Sequence, residues 1–217
     1  MLNNIKAAIF DMDGTLIDSM WIWSKIDTDY LTKRNISVPN DLKGSIEHLT
    51  FEETANYFKN RFNLKDSVND IMQEWNDMAY NEYKFNVDLK PGAKEYLNML
   101  KAMNIKIALA TSNNKLLMEM ALKKNCIYDY FDAISTTDEV TRGKAFPDIY
   151  LLTANKLNIA PCNCIVFEDI LPAVKGAKLA GMKVVAIHDT FSENQKKELI
   201  KKADKYILNY HEILTAI

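Results

Sequence analysis

Two aspartates one residue apart, Asp11 and Asp13, follow the apolar run 5–10 (IKAAIF), and Gly14-Thr15-Leu16 comes next. A strand over that run puts both carboxylates at its carboxyl end, the edge where ligands gather in open α/β sheets. Alternation along an extended chain sends Asp11 and Asp13 to one side and turns Met12 away. Gly14 lets the backbone turn sharply just beyond. Two carboxylates so close repel each other, so ionising both calls for a cation. A hard divalent ion such as Mg²⁺ meets that need with oxygen ligands. Without one, one carboxyl tends to keep its proton and can serve as an acid. A lone Asp-x-Asp is more often a turn or a solvated strand end, so its meaning depends on what else the chain brings there.

Three later segments bear on that question. The run 105–110 (IKIALA) ends in Thr111-Ser112-Asn113. Hydroxyls and free backbone N–H groups at a strand end suit phosphate oxygens, although the same residues would also cap a following helix. Gly143-Lys144 stands just ahead of Pro147-Asp148. A lysine there is either a solvated charge or one that neutralises a phosphoryl group. The run 164–167 (CIVF) ends in Glu168-Asp169, a second acidic pair suited to a metal.

The elements that must position these residues are legible as two textures. Short apolar runs at 5–10, 105–110, 131–135, 164–167, 183–187 and 205–208 alternate with helical patterns at 92–103, 114–124, 147–157, 171–180 and 192–203. Strands apolar on both faces, alternating with helices, imply a parallel sheet covered on both sides. Pro91-Gly92 and Pro147 suit helix starts, and Gly181 suits a helix end. Residues 19–84 break the rhythm and read as helices only, at 19–34, 51–62 and 67–84. Half of the chain's aromatic residues fall in 17–88, Trp21, Trp23 and Trp75 among them. They either fill a small helical core or line a substrate site.

Composition narrows the classes. At 217 residues, 48% hydrophobic and 26% charged, the chain is long enough for a sizeable core without staples. The net charge of −2 gives no basic excess for nucleic acid. No run is long enough to span a bilayer, and the first residues lack a secretory pattern. The three cysteines, Cys126, Cys162 and Cys164, are expected to be reduced thiols of a cytoplasmic protein.

Taken together, FDMDGTLIDS, ATSN, GKAFPDIY and VFED followed by LAGM resemble the haloacid dehalogenase (HAD) superfamily, in its subfamily with a helical cap after the first motif. The resemblance covers nearly the whole chain. It implies an α/β fold: a Rossmann-like parallel sheet of order 3-2-1-4-5 flanked by helices. Residues 1–16 and 89–217 would form the catalytic core and 17–88 an inserted α-helical cap. It also implies Mg²⁺-dependent phosphoryl transfer through an aspartyl-phosphate. Carried onto this chain, Asp11 is the nucleophile and Asp13 the general acid/base. Thr111, with Ser112 and Asn113, binds phosphate. Lys144 steadies Asp11 and the phosphoryl group. Asp11, Asp13 (through its carbonyl), Glu168 and Asp169 hold the metal. Ile170, Ala173 and Ala145 depart from the family pattern beside these positions.

The expected function is a phosphatase of a small phosphorylated metabolite, with sugar phosphates foremost, acting as a monomer without nucleic acid or membrane. The alternative within the family is a β-phosphoglucomutase, which has a cap histidine where this chain has Trp23 and a cap arginine where it has Ser45-Ile46-Glu47. A non-catalytic module binding a phosphorylated ligand is the alternative of another class, and it would not need a nucleophile. The cap is expected to act as a lid that sets substrate choice, Trp23 being its candidate substrate residue.

Overall fold

The computed structural model describes residues 2–46, 49 and 51–214, so Glu47 lies outside the described residues. In chain order the elements are β1 (Ala7–Phe10), α1 (Trp21–Lys33), α2 (Leu42–Ile46), α3 (Phe51–Arg61), α4 (Val68–Phe85), α5 (Ala93–Ala102), β2 (Lys106–Thr111) and α6 (Lys115–Lys124). They continue with β3 (Ala133–Thr136), α7 (Asp148–Lys156), β4 (Cys164–Glu168), α8 (Leu171–Leu179), β5 (Lys183–Ile187), α9 (Lys196–Lys202), β6 (Lys205–Ile207) and α10 (His211–Leu214). The chain divides into two compact units, Met1–Met20 with Val87–Ile217, and Trp21–Asn86.

The first unit is built on a six-stranded sheet in the order β3-β2-β1-β4-β5-β6, with every pairing parallel. The expected five-strand order is therefore present, with β6 added beside β5. Strand β1 lies at the centre and is buried along its length, as a parallel strand covered on both faces must be. Its register sets Phe10 beside Leu109 of β2 and Phe167 of β4. The residues that follow, Asp11, Ala110 and Glu168, thus emerge at one edge. Phe10 and Phe167 stack with ring centroids 4.5 Å apart, and Tyr96 and Tyr210 close around them. This aromatic layer packs directly beneath the sheet edge.

The sequence pattern over 192–203 is not one helix. A 3-10 segment, Thr190–Gln195, precedes α9, and Asp189 caps it by accepting from Phe191 N at 2.8 Å. A carboxylate that satisfies the first free N–H competes with a helix start further on. Helix α10 falls where the sequence showed no helical pattern. It is a single turn docked by its neighbours, and so short a helix carries no period of its own.

The chain leaves and re-enters the first unit side by side. Ile17 and Leu89 form an antiparallel bridge, Lys90 N donates to Leu16 O at 2.8 Å, and Asp18 N donates to Asp88 O at 2.9 Å. Lys90 is fastened further by a buried ion pair with Asp189, 2.6 Å from Nζ to Oδ2.

The second unit is helical. Trp75 of α4 is its centre: its ring meets Tyr30 at 5.6 Å, Phe51 at 5.6 Å and Phe58 at 4.9 Å. These aromatic residues fill the bundle's own core. Helix α4 begins with a capping box, Ser67 and Asp70 satisfying each other's backbone N–H. Asp27 of α1 is recessed and has no hydrogen-bond partner among the described residues. Burial pushes its carboxyl from 3.8 up to about 7.

A carboxyl raised in the folded state favours folding only while it holds its proton. Its contribution is full below about pH 4 and lost as the pH rises toward 7. Asp27→Asn is therefore expected to stabilise the protein at pH 8, on the order of 2 kcal/mol, and to change little at pH 4. Thermal unfolding of both proteins across that range checks it.

Candidate active site

Three strand ends converge in the first unit. Asp11 follows β1, Thr111 ends β2, Glu168 ends β4 and Asp169 follows it. Asp11 is fixed where the pairing of β1 with β4 continues one step, its N–H donating to Phe167 O at 3.0 Å. One oxygen from each of Asp11, Glu168 and Asp169 lies within 4.8 Å of the others, and all three residues are buried. Lys144 arrives from the loop before α7. Its Nζ donates to Asp11 Oδ1 and, at 2.8 Å, to Glu168 Oε1.

One oxygen of each carboxylate is tied down. Lys144 holds Asp11, Lys144 and Tyr150 hold Glu168, and Thr15 donates to Asp169 Oδ1 at 3.2 Å. The charges do not cancel. Burial disfavours the ammonium of Lys144, but Asp11 and Glu168 more than offset that and hold it above its usual range. Burial pushes Glu168 up to about 7 against the pull of Lys144. Burial, and then repulsion from Asp11 and Glu168, lifts Asp169 well above the carboxylate range. Three carboxylates facing one ammonium leave an excess of acidic groups that a bound proton or a cation must answer. The donors are hard oxygens, which fit a divalent ion of the Mg²⁺, Mn²⁺ or Ca²⁺ kind.

The other residues singled out in the sequence take different stations. The carboxylate of Asp13 is outside the group of three. It is held by Ser19 Oγ at 2.7 Å and Asn113 Nδ2 at 2.9 Å. The Asn113 amide is thus turned onto Asp13, while its N–H donates to Thr111 Oγ1 at 3.0 Å. Thr111 is buried and Ser112 exposed. Asn114, not these residues, caps α6 by accepting from Leu117 N at 3.0 Å. That leaves Thr111 and Ser112 out of capping. Trp23 lies in the second unit, 38% exposed, edge-on to Phe51 at 5.5 Å.

Sequence reading missed the supports of this site. Thr15 and Tyr150 were in view as motif letters, in DGT and PDIY, but nothing in their spacing says which carboxylate each would hold. The glycines were partly legible. Gly14 has φ +77°, and a Cβ there would lie 2.5 Å from Asp169 Oδ2, so only glycine lets the β1 turn pass the acidic pair. Gly176, inside α8, was silent. A Cβ on it would lie 2.0 Å from Lys144 O and 2.8 Å from Phe146 O, so α8 packs directly on the main chain that carries the lysine.

Residues 8–187 match the family model of the haloacid dehalogenase-like hydrolases. A phosphorylated carbohydrates phosphatase of Thermotoga maritima is 28% identical over 215 residues, covering 98% of each chain. A candidate pseudouridine-5'-phosphatase of Saccharomyces cerevisiae is 33% identical over 196 residues, covering 83% of this chain and 81% of its own. Among solved structures, a candidate beta-phosphoglucomutase from Thermotoga maritima superposes with a TM-score of 0.85 at 27% identity, covering 94% of both chains. No helix among the described residues is long and apolar enough to cross a membrane.

Gly176→Ala should force the Lys144 loop off α8. We expect a loss of about 1–3 kcal/mol in stability, together with reduced turnover. Gly143→Ala, beside Lys144 but with open space around its Cβ position, should be tolerated. Thermal unfolding and turnover of the two variants measure the contrast.

Proposed function

The chain belongs to the haloacid dehalogenase-like hydrolase family, and from that premise we propose a Mg²⁺-dependent phosphatase that works through an aspartyl-phosphate. It is a phosphoric monoester hydrolase; the metal, the intermediate and the residue roles are our reading. The observation that carries it is the buried group of Asp11, Glu168 and Asp169 with Lys144 bound to two of them.

An oxygen of Asp11 attacks phosphorus, and the bond from phosphorus to the ester oxygen breaks. A carboxylate approaching an anionic phosphate meets like charge, which Lys144 offsets from within hydrogen-bond reach of Asp11. Asp13 gives a proton to the leaving oxygen. It then takes one from the water that attacks phosphorus, releasing phosphate and restoring Asp11. Ser19 and Asn113 hold the Asp13 carboxylate between turnovers, and Thr111 and Ser112 receive the phosphate oxygens. Asp11, Glu168 and Asp169 would hold the metal, with the carbonyl of Asp13. Once bound, a divalent ion supplies charge neutralisation at the phosphoryl group.

The substrate class we favour is small phosphorylated metabolites, sugar phosphates first. A relative that aligns over nearly the full length of both chains is named for phosphorylated carbohydrates. Substrate choice is assigned to the inserted helices, Trp23 before other residues. Trp23 also weighs against the mutase reading that the neighbour's name invites, since a mutase needs an acid/base there that an indole cannot supply. The enzyme is placed in the cytoplasm, where Cys126, Cys162 and Cys164, all free, stay reduced.

Release of phosphate from p-nitrophenyl phosphate and from hexose phosphates, with and without EDTA, tests the reading. Turnover should need Mg²⁺, and Asp11→Asn should lower kcat by at least ~10³-fold, about 4 kcal/mol of barrier. Wild-type turnover in Asp11→Asn would refute the nucleophile. Bisphosphate-dependent conversion of β-glucose 1-phosphate to glucose 6-phosphate would instead favour the mutase.

A further inference from the structure

We infer that Tyr150 is a positioning residue that holds Glu168 in place for the metal, independently of Lys144. The inference rests on the metal-dependent phosphatase reading above. Tyr150 lies on α7 and is fully buried; its hydroxyl donates to Glu168 Oε1 at 2.8 Å. Lys144 Nζ donates to the same oxygen, also at 2.8 Å. Among the described residues, no group donates to Oε2, so that oxygen is the one left for the metal.

The two donors differ in what else they must do. Lys144 divides its hydrogens between Glu168 and Asp11. In the reaction, Asp11 becomes esterified and loses its charge, and the phosphoryl oxygens draw the ammonium. Lys144 thus changes partners within each turnover. Tyr150 has a single hydrogen, on a hydroxyl anchored by a ring packed in the sheet-facing core cluster with Ile149, Ala154 and Val166. It keeps Oε1 fixed, and with it the direction of Oε2, while Lys144 shifts.

The segment between the two donors explains how one stretch of chain delivers both. Lys144 sits in the loop, Pro147 precedes α7, and Tyr150 comes within the first turn of that helix. A buried carboxylate with its donors removed bears a heavy penalty, so the second donor also lowers the cost of Lys144 leaving. The groups that hold a metal ligand usually set its affinity.

Tyr150→Phe keeps the ring and removes only the hydroxyl. Tyr96 serves as the control: it too is fully buried in the same unit, and its hydroxyl has no hydrogen-bond partner among the described residues. Mg²⁺ titrated calorimetrically into wild type, Tyr150→Phe and Tyr96→Phe reads the effect on binding. We expect Tyr150→Phe to bind Mg²⁺ about 10-fold more weakly and Tyr96→Phe to match wild type. Hydrolysis of p-nitrophenyl phosphate by Tyr150→Phe should then need more Mg²⁺ but recover most of its kcat at saturation. Unchanged Mg²⁺ affinity in Tyr150→Phe, with or without a lower Tm, overturns the inference. So does equal weakening in both variants, which would mark a general loss of packing. A wild-type protein that neither binds Mg²⁺ nor hydrolyses the ester overturns the phosphatase reading as well.

Discussion

Repulsion among Asp11, Glu168 and Asp169 is the constraint to which the first unit is fitted. Bringing three carboxylates within 4.8 Å of one another in a buried place opposes folding. The central strands of a parallel sheet can bear that load because their register is locked by apolar side chains on both faces. The aromatic layer of Phe10, Tyr96, Phe167 and Tyr210 lies beneath it. Lys144 answers part of the charge, and the rest calls for protons or a cation. Thr15, Tyr150, Gly14 and Gly176 are the local conditions that let this edge exist.

That division separates what the amino-acid sequence reveals from what it hides. Strand ends are legible because apolar runs stop abruptly at polar residues, which sets Asp11, Thr111 and Glu168 on one edge. The insertion was legible from its loss of the strand rhythm after Leu16. Hydrogen bonds across the sheet edge were not. The Asn113 amide could face phosphate or Asp13 with the same letters in the chain, and only the folded backbone turns it to Asp13. Gly176 was equally silent, because a glycine within a helical pattern looks like a mere weakness until the Lys144 main chain is found against it. The 3-10 segment before α9 escaped for a related reason: Asp189 has a choice of N–H groups to cap, and sequence alone does not make it.

The two units obtain their order by different means. In the first, long-range parallel pairing brings residues from distant parts of the chain to one edge, so each strand depends on its neighbours. In the second, Trp75 of α4 gathers Tyr30 from α1 and Phe51 and Phe58 from α3 around one indole. An aromatic centre of that kind specifies little about the surface around it. Trp23 touches that core only at its edge, ring against ring with Phe51.

The Ile17–Leu89 bridge has a consequence for how such a chain can change over generations. Bridged residues stand about 5 Å apart, so the first unit presents two adjacent ends where the helices are spliced in. Closing a longer excursion between ends already paired adds little entropy, since the cost grows only with the logarithm of its length. Helices can lengthen, shorten or be exchanged wholesale there while the sheet keeps its register. The junction works as a socket, and what is plugged into it can be replaced while the carboxylates stay untouched.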